Sequence, residues 1–125
     1  MSDDAKQILL AEGSASLASM VRSGLEKAGF AVTCVEDGRD VLDKVSETSF
    51  DLVIADYEMR DTVGAEICRS LKQNKQSAGL PLIVTAAAGL TDLDALKQEL
   101  NLVAAIKKPL SVRELVATVQ SELGS

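Results

Sequence analysis

The chain has no histidine and no tryptophan, two cysteines, two prolines, and only Phe30, Phe50 and Tyr57 as aromatics. Without histidine it has no imidazole base, no imidazole metal ligand and no phosphohistidine of its own. Any histidine chemistry must come from another molecule. Cys34 and Cys68 lack the spacing of a zinc site or a disulfide framework. Each falls in an apolar stretch, so both are read as buried free thiols. Three aromatics are too few to flank a flavin, and no Gly-x-x-x-x-Gly-Lys loop is present for a nucleotide. No apolar run approaches the roughly 18–20 residues that cross a bilayer. The acidic start, Met1-Ser2-Asp3-Asp4, carries no signal-peptide pattern. A cytoplasmic protein away from the membrane is expected. The formal charge of −6, with Lys107-Lys108 as the only adjacent basic pair, argues against direct nucleic-acid binding.

What is present suits one domain over residues 1–125, since 125 residues with 46% hydrophobic content can bury a core unaided. Five strand-like runs are predicted: Gln7–Glu12, Ala31–Val35, Asp51–Asp56, Leu82–Ala86 and Val103–Lys107. Most are continuously apolar, as in strands covered on both faces. Between them the apolar spacing is helical. The first helix carries Leu17, Met20, Val21, Leu25 and Ala28, with Ser14 as its cap. The second carries Val41, Leu42 and Val45 after the turn Asp37-Gly38. The third has Ala65, Ile67, Cys68 and Leu71, followed by a loose polar stretch from Gln73 to Gly79. The fourth has Leu90, Leu93, Leu96 and Leu100, and the fifth Val112, Leu115, Val116, Val119 and Leu123. Ser111-Val112-Arg113-Glu114 reads as a capping box. Alternating strands and helices imply right-handed parallel crossovers. Five strands are too few for an eight-stranded barrel, which leaves an α/β doubly wound sheet in the order 2-1-3-4-5.

The apolar runs stop at polar residues. The first ends at Glu12, the third at Asp56, the fourth at Thr85, and the fifth at Lys107-Lys108-Pro109. Singly, each is what a turn former, a backbone-satisfying hydroxyl or a solvated charge would look like. On parallel strands all four gather at the carboxyl edge of the sheet, where open α/β folds place their chemistry. Two carboxylates, a hydroxyl and an ammonium suit an acidic nucleophile that receives a phosphoryl group.

The series Ile8-Leu9-Leu10-Ala11-Glu12, Asp51-Leu52-Val53-Ile54-Ala55-Asp56 with Met59 and Gly64, Val84-Thr85-Ala86 and Lys108-Pro109 resembles the receiver domain of bacterial two-component response regulators. The match runs in order from about Lys6 to Leu123. The resemblance implies the flavodoxin-like (βα)5 fold and makes Asp56 the phosphoacceptor. It implies that Thr85 and Lys108 bind phosphoryl oxygens, and that the donor is a histidine kinase or a histidine phosphotransfer protein. It further implies a Mg²⁺ ion near Glu12, Asp56 and the backbone carbonyl of Glu58, with Glu12 acting mainly through water. An effector would dock on the face of the fourth helix, fifth strand and fifth helix, which includes Ala105 and Lys107.

Three positions depart from the family pattern. Gly13 stands where a second acid and direct metal ligand is usual, which predicts weakened or absent Mg²⁺ binding. Without the metal, Lys108 would pair directly with Asp56. Ala105 stands where the family carries an aromatic switch residue, and Arg60 replaces the proline that usually follows the methionine; no function is assigned to Arg60. Ala86 and Ala87 leave the mouth of the pocket uncrowded. The chain is therefore expected to be an atypical phosphorylatable receiver or, alternatively, a pseudo-receiver that acts as a phosphorylation-independent protein-interaction module.

Overall fold

Strands and helices alternate along the chain as β1 (Gln7–Ala11), α1 (Ala15–Lys27), β2 (Ala31–Val35), α2 (Gly38–Glu47), β3 (Leu52–Asp56), α3 (Gly64–Gln73), β4 (Leu82–Ala87), α4 (Leu93–Leu100), β5 (Ala104–Lys108) and α5 (Val112–Leu123). The computed structural model describes residues 5–59, 61, 64–87, 89 and 92–124. Arg60 and Leu90 lie outside the described residues. The strands are all parallel, as the alternation predicts, in the order β2-β1-β3-β4-β5. Five strand ends move by one residue, and two of the moves concern the site. β1 stops at Ala11, so Glu12 stands just beyond the strand, while β5 runs on through Lys108.

The continuous apolar runs make sense once the pleat sends alternate residues to opposite faces. Leu9, Ala11, Val53, Ala55, Leu82 and Val84 pack with Val41, Ala65, Ile67, Leu71, Leu96 and Leu100 under α2, α3 and α4. Ile8, Leu10, Leu52, Ile54 and Ile83 pack with Val21, Leu25, Leu115 and Val119 under α1 and α5. Fully burying one such aliphatic side chain contributes about 1.5–3 kcal/mol. The two cores together hold the sheet rigid beneath its carboxyl edge. Among the described residues, no helix is long and apolar enough to cross a membrane.

Helix starts follow the local signals. Ser14 Oγ accepts from the Leu17 amide at 3.3 Å, Asp92 Oδ1 from Ala95 at 3.1 Å, and Ser111 Oγ from Glu114 at 3.2 Å. Only the amide half of the predicted capping box forms among the described residues. The stretch after α3 is ordered rather than loose. Buried Ser77 donates its hydroxyl to Leu71 O at 2.7 Å, and its amide donates to Asn74 O at 3.0 Å.

Three core expectations change. Met20 is 59% exposed and Leu42 38% exposed. Each is adjacent in sequence to a buried valine, Val21 or Val41, and one residue is a turn of about 100° around a helix. The buried faces are narrower than the sequence stripes. Cys34 is half-buried, and only Cys68 is fully enclosed.

Leu25→Ala is expected to cost about 2–5 kcal/mol of unfolding free energy, and Met20→Ala less than about 0.5 kcal/mol. Urea denaturation of the two variants measures both. Equal losses would contradict the helix orientation.

Candidate functional site

The site is built at the ends of four strands. Asp56 is the last residue of β3, 7% exposed, and its Cα partner on β4 is Thr85. The next amide, Tyr57 N–H, donates to Thr85 O at 2.7 Å and extends the ladder one step past the carboxylate. Glu58 N–H donates to Asp56 Oδ1 at 3.2 Å. Lys108 Nζ donates to Asp56 Oδ2 at 2.9 Å and to Glu12 Oε1 at 3.3 Å. Glu12, 5% exposed, takes the Ser14 amide on its other oxygen at 3.0 Å. Its own amide donates to Val35 O at 3.0 Å.

The structure thus brings Glu12, Asp56, Thr85 and Lys108 to one edge. Glu12 contacts Lys108 directly. The Thr85 residue is 2% exposed, and its hydroxyl has no hydrogen-bond partner among the described residues. No enclosed side-chain oxygen or nitrogen among the described residues is left unpaired, so this hydroxyl is not wholly sealed in. The Glu58 side chain is exposed, and only the backbone of Glu58 takes part. Ala105, on β5, packs against the core under α2, α3 and α4.

Two glycines behave differently. A Cβ on Gly64 would stand 2.6 Å from Asp56 O and 2.8 Å from Tyr57 Cα, so only glycine lets α3 start this close to the end of β3. A Cβ on Gly13 would meet nothing nearer than Glu36 O at 3.9 Å. The backbone does not require glycine there, and a Cβ would fit.

One contributor went unnoticed in the sequence. Asp61 Oδ1 accepts from the Gly38 amide at 2.7 Å and Oδ2 from the Arg39 amide at 3.1 Å, tying the loop after Asp56 to the start of α2. A single aspartate in a loop, with partners more than twenty residues away, leaves no local signal.

Burial pushes the Glu12 carboxyl above the usual range and the nearby charge of Asp56 adds to this, while the Ser14 amide and Lys108 oppose it without cancelling it. Burial works to lower the Lys108 ammonium, but the hydrogen bonds and charges of Asp56 and Glu12 outweigh it and raise its pKa. The stability that Lys108 adds is therefore present below its ordinary value of 10.5 and lost as pH rises through the folded value. For Glu12, whose folded pKa is also raised, the contribution is fully present below 4.5 and lost as pH rises through the higher folded value.

As for a metal, no group of three His, Cys, Asp or Glu side chains is arranged to hold one among the described residues. The two carboxylates at the edge share the ammonium of Lys108. Carboxyl carbon NMR titration of Glu12 is expected to move down in Asp56→Asn and further up in Lys108→Met. An unmoved Glu12 in both variants would show that the three groups are not electrostatically linked.

Comparison with known proteins identifies the family of this fold. The family model described as the response regulator receiver domain matches residues 8–120. The receiver domain of a signal transduction histidine kinase from Syntrophus aciditrophicus is 29% identical, with a TM-score of 0.85 over 96% of this chain and 91% of that one. The chemotaxis response regulator CheY4 of Vibrio cholerae is 24% identical, with a TM-score of 0.85 over 95% of this chain and 99% of that one. The receiver domain of a sensor histidine kinase from Pseudomonas aeruginosa, solved with a magnesium ion coordinated in its active-site cleft, is 21% identical with a TM-score of 0.85, covering 97% and 99%. With its five parallel strands in the order 2-1-3-4-5 and a family match across nearly its whole length, the chain belongs to the response regulator receiver domains of two-component signalling.

Proposed function

We propose that Asp56 is the phosphoacceptor of this receiver and takes its phosphoryl group from the phosphohistidine of a separate histidine kinase or histidine phosphotransfer protein. Receiver domains are signalling modules that interact with histidine kinases and effectors. The observation that carries the assignment is a nearly buried carboxylate at the end of β3, held by a lysine ammonium at 2.9 Å and in register with Thr85 on the neighbouring strand.

In the transfer, an Asp56 carboxylate oxygen forms a bond to phosphorus as the donor's phosphorus–nitrogen bond breaks. The electron pair of that bond stays on the histidine nitrogen, which then takes a proton. Catalysis here is positioning and neutralisation of oxygen charge. Lys108 pairs with one phosphoryl oxygen, and the Thr85 hydroxyl donates to another. Glu12 keeps Lys108 at the site while its own charge is partly compensated by the Ser14 amide.

The Mg²⁺ ion that the family implies fits this arrangement poorly. Magnesium needs near-octahedral oxygen donors, whereas Lys108 already spans both carboxylates and position 13 offers none. A carboxylate at 13 would complete the set with Glu12, Asp56 and the Glu58 carbonyl. No step is assigned to the metal. We assign effector docking to the face of α4, β5 and α5, with Ala105 and Lys107, and a cytoplasmic site of action. Having no ring to turn, Ala105 transmits the acyl phosphate by another route or not at all. That point and Gly13 favour a second reading, the phosphorylation-independent interaction module.

Incubation with acetyl phosphate and Mg²⁺ is expected to add about 80 Da, one phosphoryl group, to the wild type and nothing to Asp56→Asn. An unmodified wild type would favour the interaction module. In a separate magnesium titration, Gly13→Asp is expected to tighten binding by about tenfold or more, equivalent to 1.4 kcal/mol. An unchanged titration would discredit the account of the missing ligand.

A further inference from the structure

The loop between β3 and α3 carries the Glu58 amide that holds one oxygen of Asp56, and it is pinned at both ends. Tyr57 N–H donates to Thr85 O at one end, and Gly64 N–H donates to Tyr57 O at the other. Its middle is held by Met59, which is buried in the core under α2, α3 and α4, and by Asp61. The Asp61 carboxylate reaches the first turn of α2, taking the amides of Gly38 at 2.7 Å and Arg39 at 3.1 Å, with the Arg39 Nε 4.0 Å away. Those are amides that the helix itself leaves without partners. The carboxylate also sits at the positive end of the α2 dipole. The two amides hold its carboxyl below the usual range, so it remains an ionised acceptor at neutral pH.

We infer that Asp61 is a positioning residue for the acceptor: by capping α2 from across the fold, it holds the Glu58 amide against Asp56 and keeps the carboxylate oriented between Lys108 and Thr85. The inference rests on the phosphoacceptor reading of Asp56. Its physical logic is that a carboxylate with one oxygen held by a loop amide turns when that loop shifts. A displacement of about 1 Å in a reacting group costs up to a hundredfold in rate. A side chain remote from phosphorus thereby acts on the chemistry through Asp56.

The test compares Asp61→Ala, Asp61→Asn and Ser77→Ala, the last removing a buried hydrogen bond at the opposite edge of the sheet. Two readouts are taken on each: amide hydrogen exchange at Glu58, and the initial rate of phosphorylation by acetyl phosphate. Asp61→Ala is expected to speed Glu58 exchange by about tenfold beyond Ser77→Ala, and to slow phosphorylation by about tenfold. Asp61→Asn, which keeps one acceptor oxygen, should fall between Asp61→Ala and the wild type. Unchanged Glu58 exchange, or an equal change in Ser77→Ala, overturns the tether. Faster exchange at an unchanged phosphorylation rate overturns the positioning role. If the wild type itself takes no phosphoryl group, the phosphoacceptor reading and the positioning role both fall, while the exchange result still decides whether Asp61 holds the loop.

Discussion

The site depends on one ammonium shared by two carboxylates that are almost out of water. Asp56 and Glu12 repel each other, and each ion carries a desolvation cost of several kcal/mol on leaving solvent. Lys108 answers both at 2.9 and 3.3 Å. The strand order makes this contact available. β5 lies two spacings from β3, roughly 10 Å at about 4.8 Å per strand, a gap that a long flexible lysine can cross. Ala87, the β4 residue in register with Lys108, has nothing beyond Cβ to obstruct it.

Position 13 changes the charge balance of this cluster. Glu12, Asp56 and Lys108 together leave one net negative charge, which the amides of Ser14 and Glu58 partly meet. A third carboxylate would leave two, and a divalent cation would then be the natural counter-charge. The glycine therefore does more than omit a ligand. It makes a monovalent ammonium the counter-charge that the two carboxylates share.

Asp56 is also held from its backbone side. Gly64 allows α3 to begin against the carbonyl of Asp56, and Asp61 ties the intervening loop to α2. The carboxylate is thus set by β3, by the neighbouring β4 and, through a single side chain, by a helix from earlier in the chain. Flexibility at Ala105 would not alter this, because that residue faces the core under α2, α3 and α4 rather than the carboxylate.

From the sequence alone, the alternation of apolar runs and helical stripes determined the parallel sheet, and the resemblance to receiver domains supplied its order. The polar residues ending those runs determined which groups meet at its carboxyl edge. These are legible because strand and helix periods, and the residue that ends a run, are properties of consecutive residues. Tertiary structure alone decided that Val21 is buried while Met20 is exposed, and that Glu12 touches Lys108, 96 residues away. It also decided that Asp61 caps a helix beginning 23 residues before it. Such contacts have no local signature: they exist only when crossovers bring distant segments within hydrogen-bond reach, and a helix's buried face is set by what it packs against.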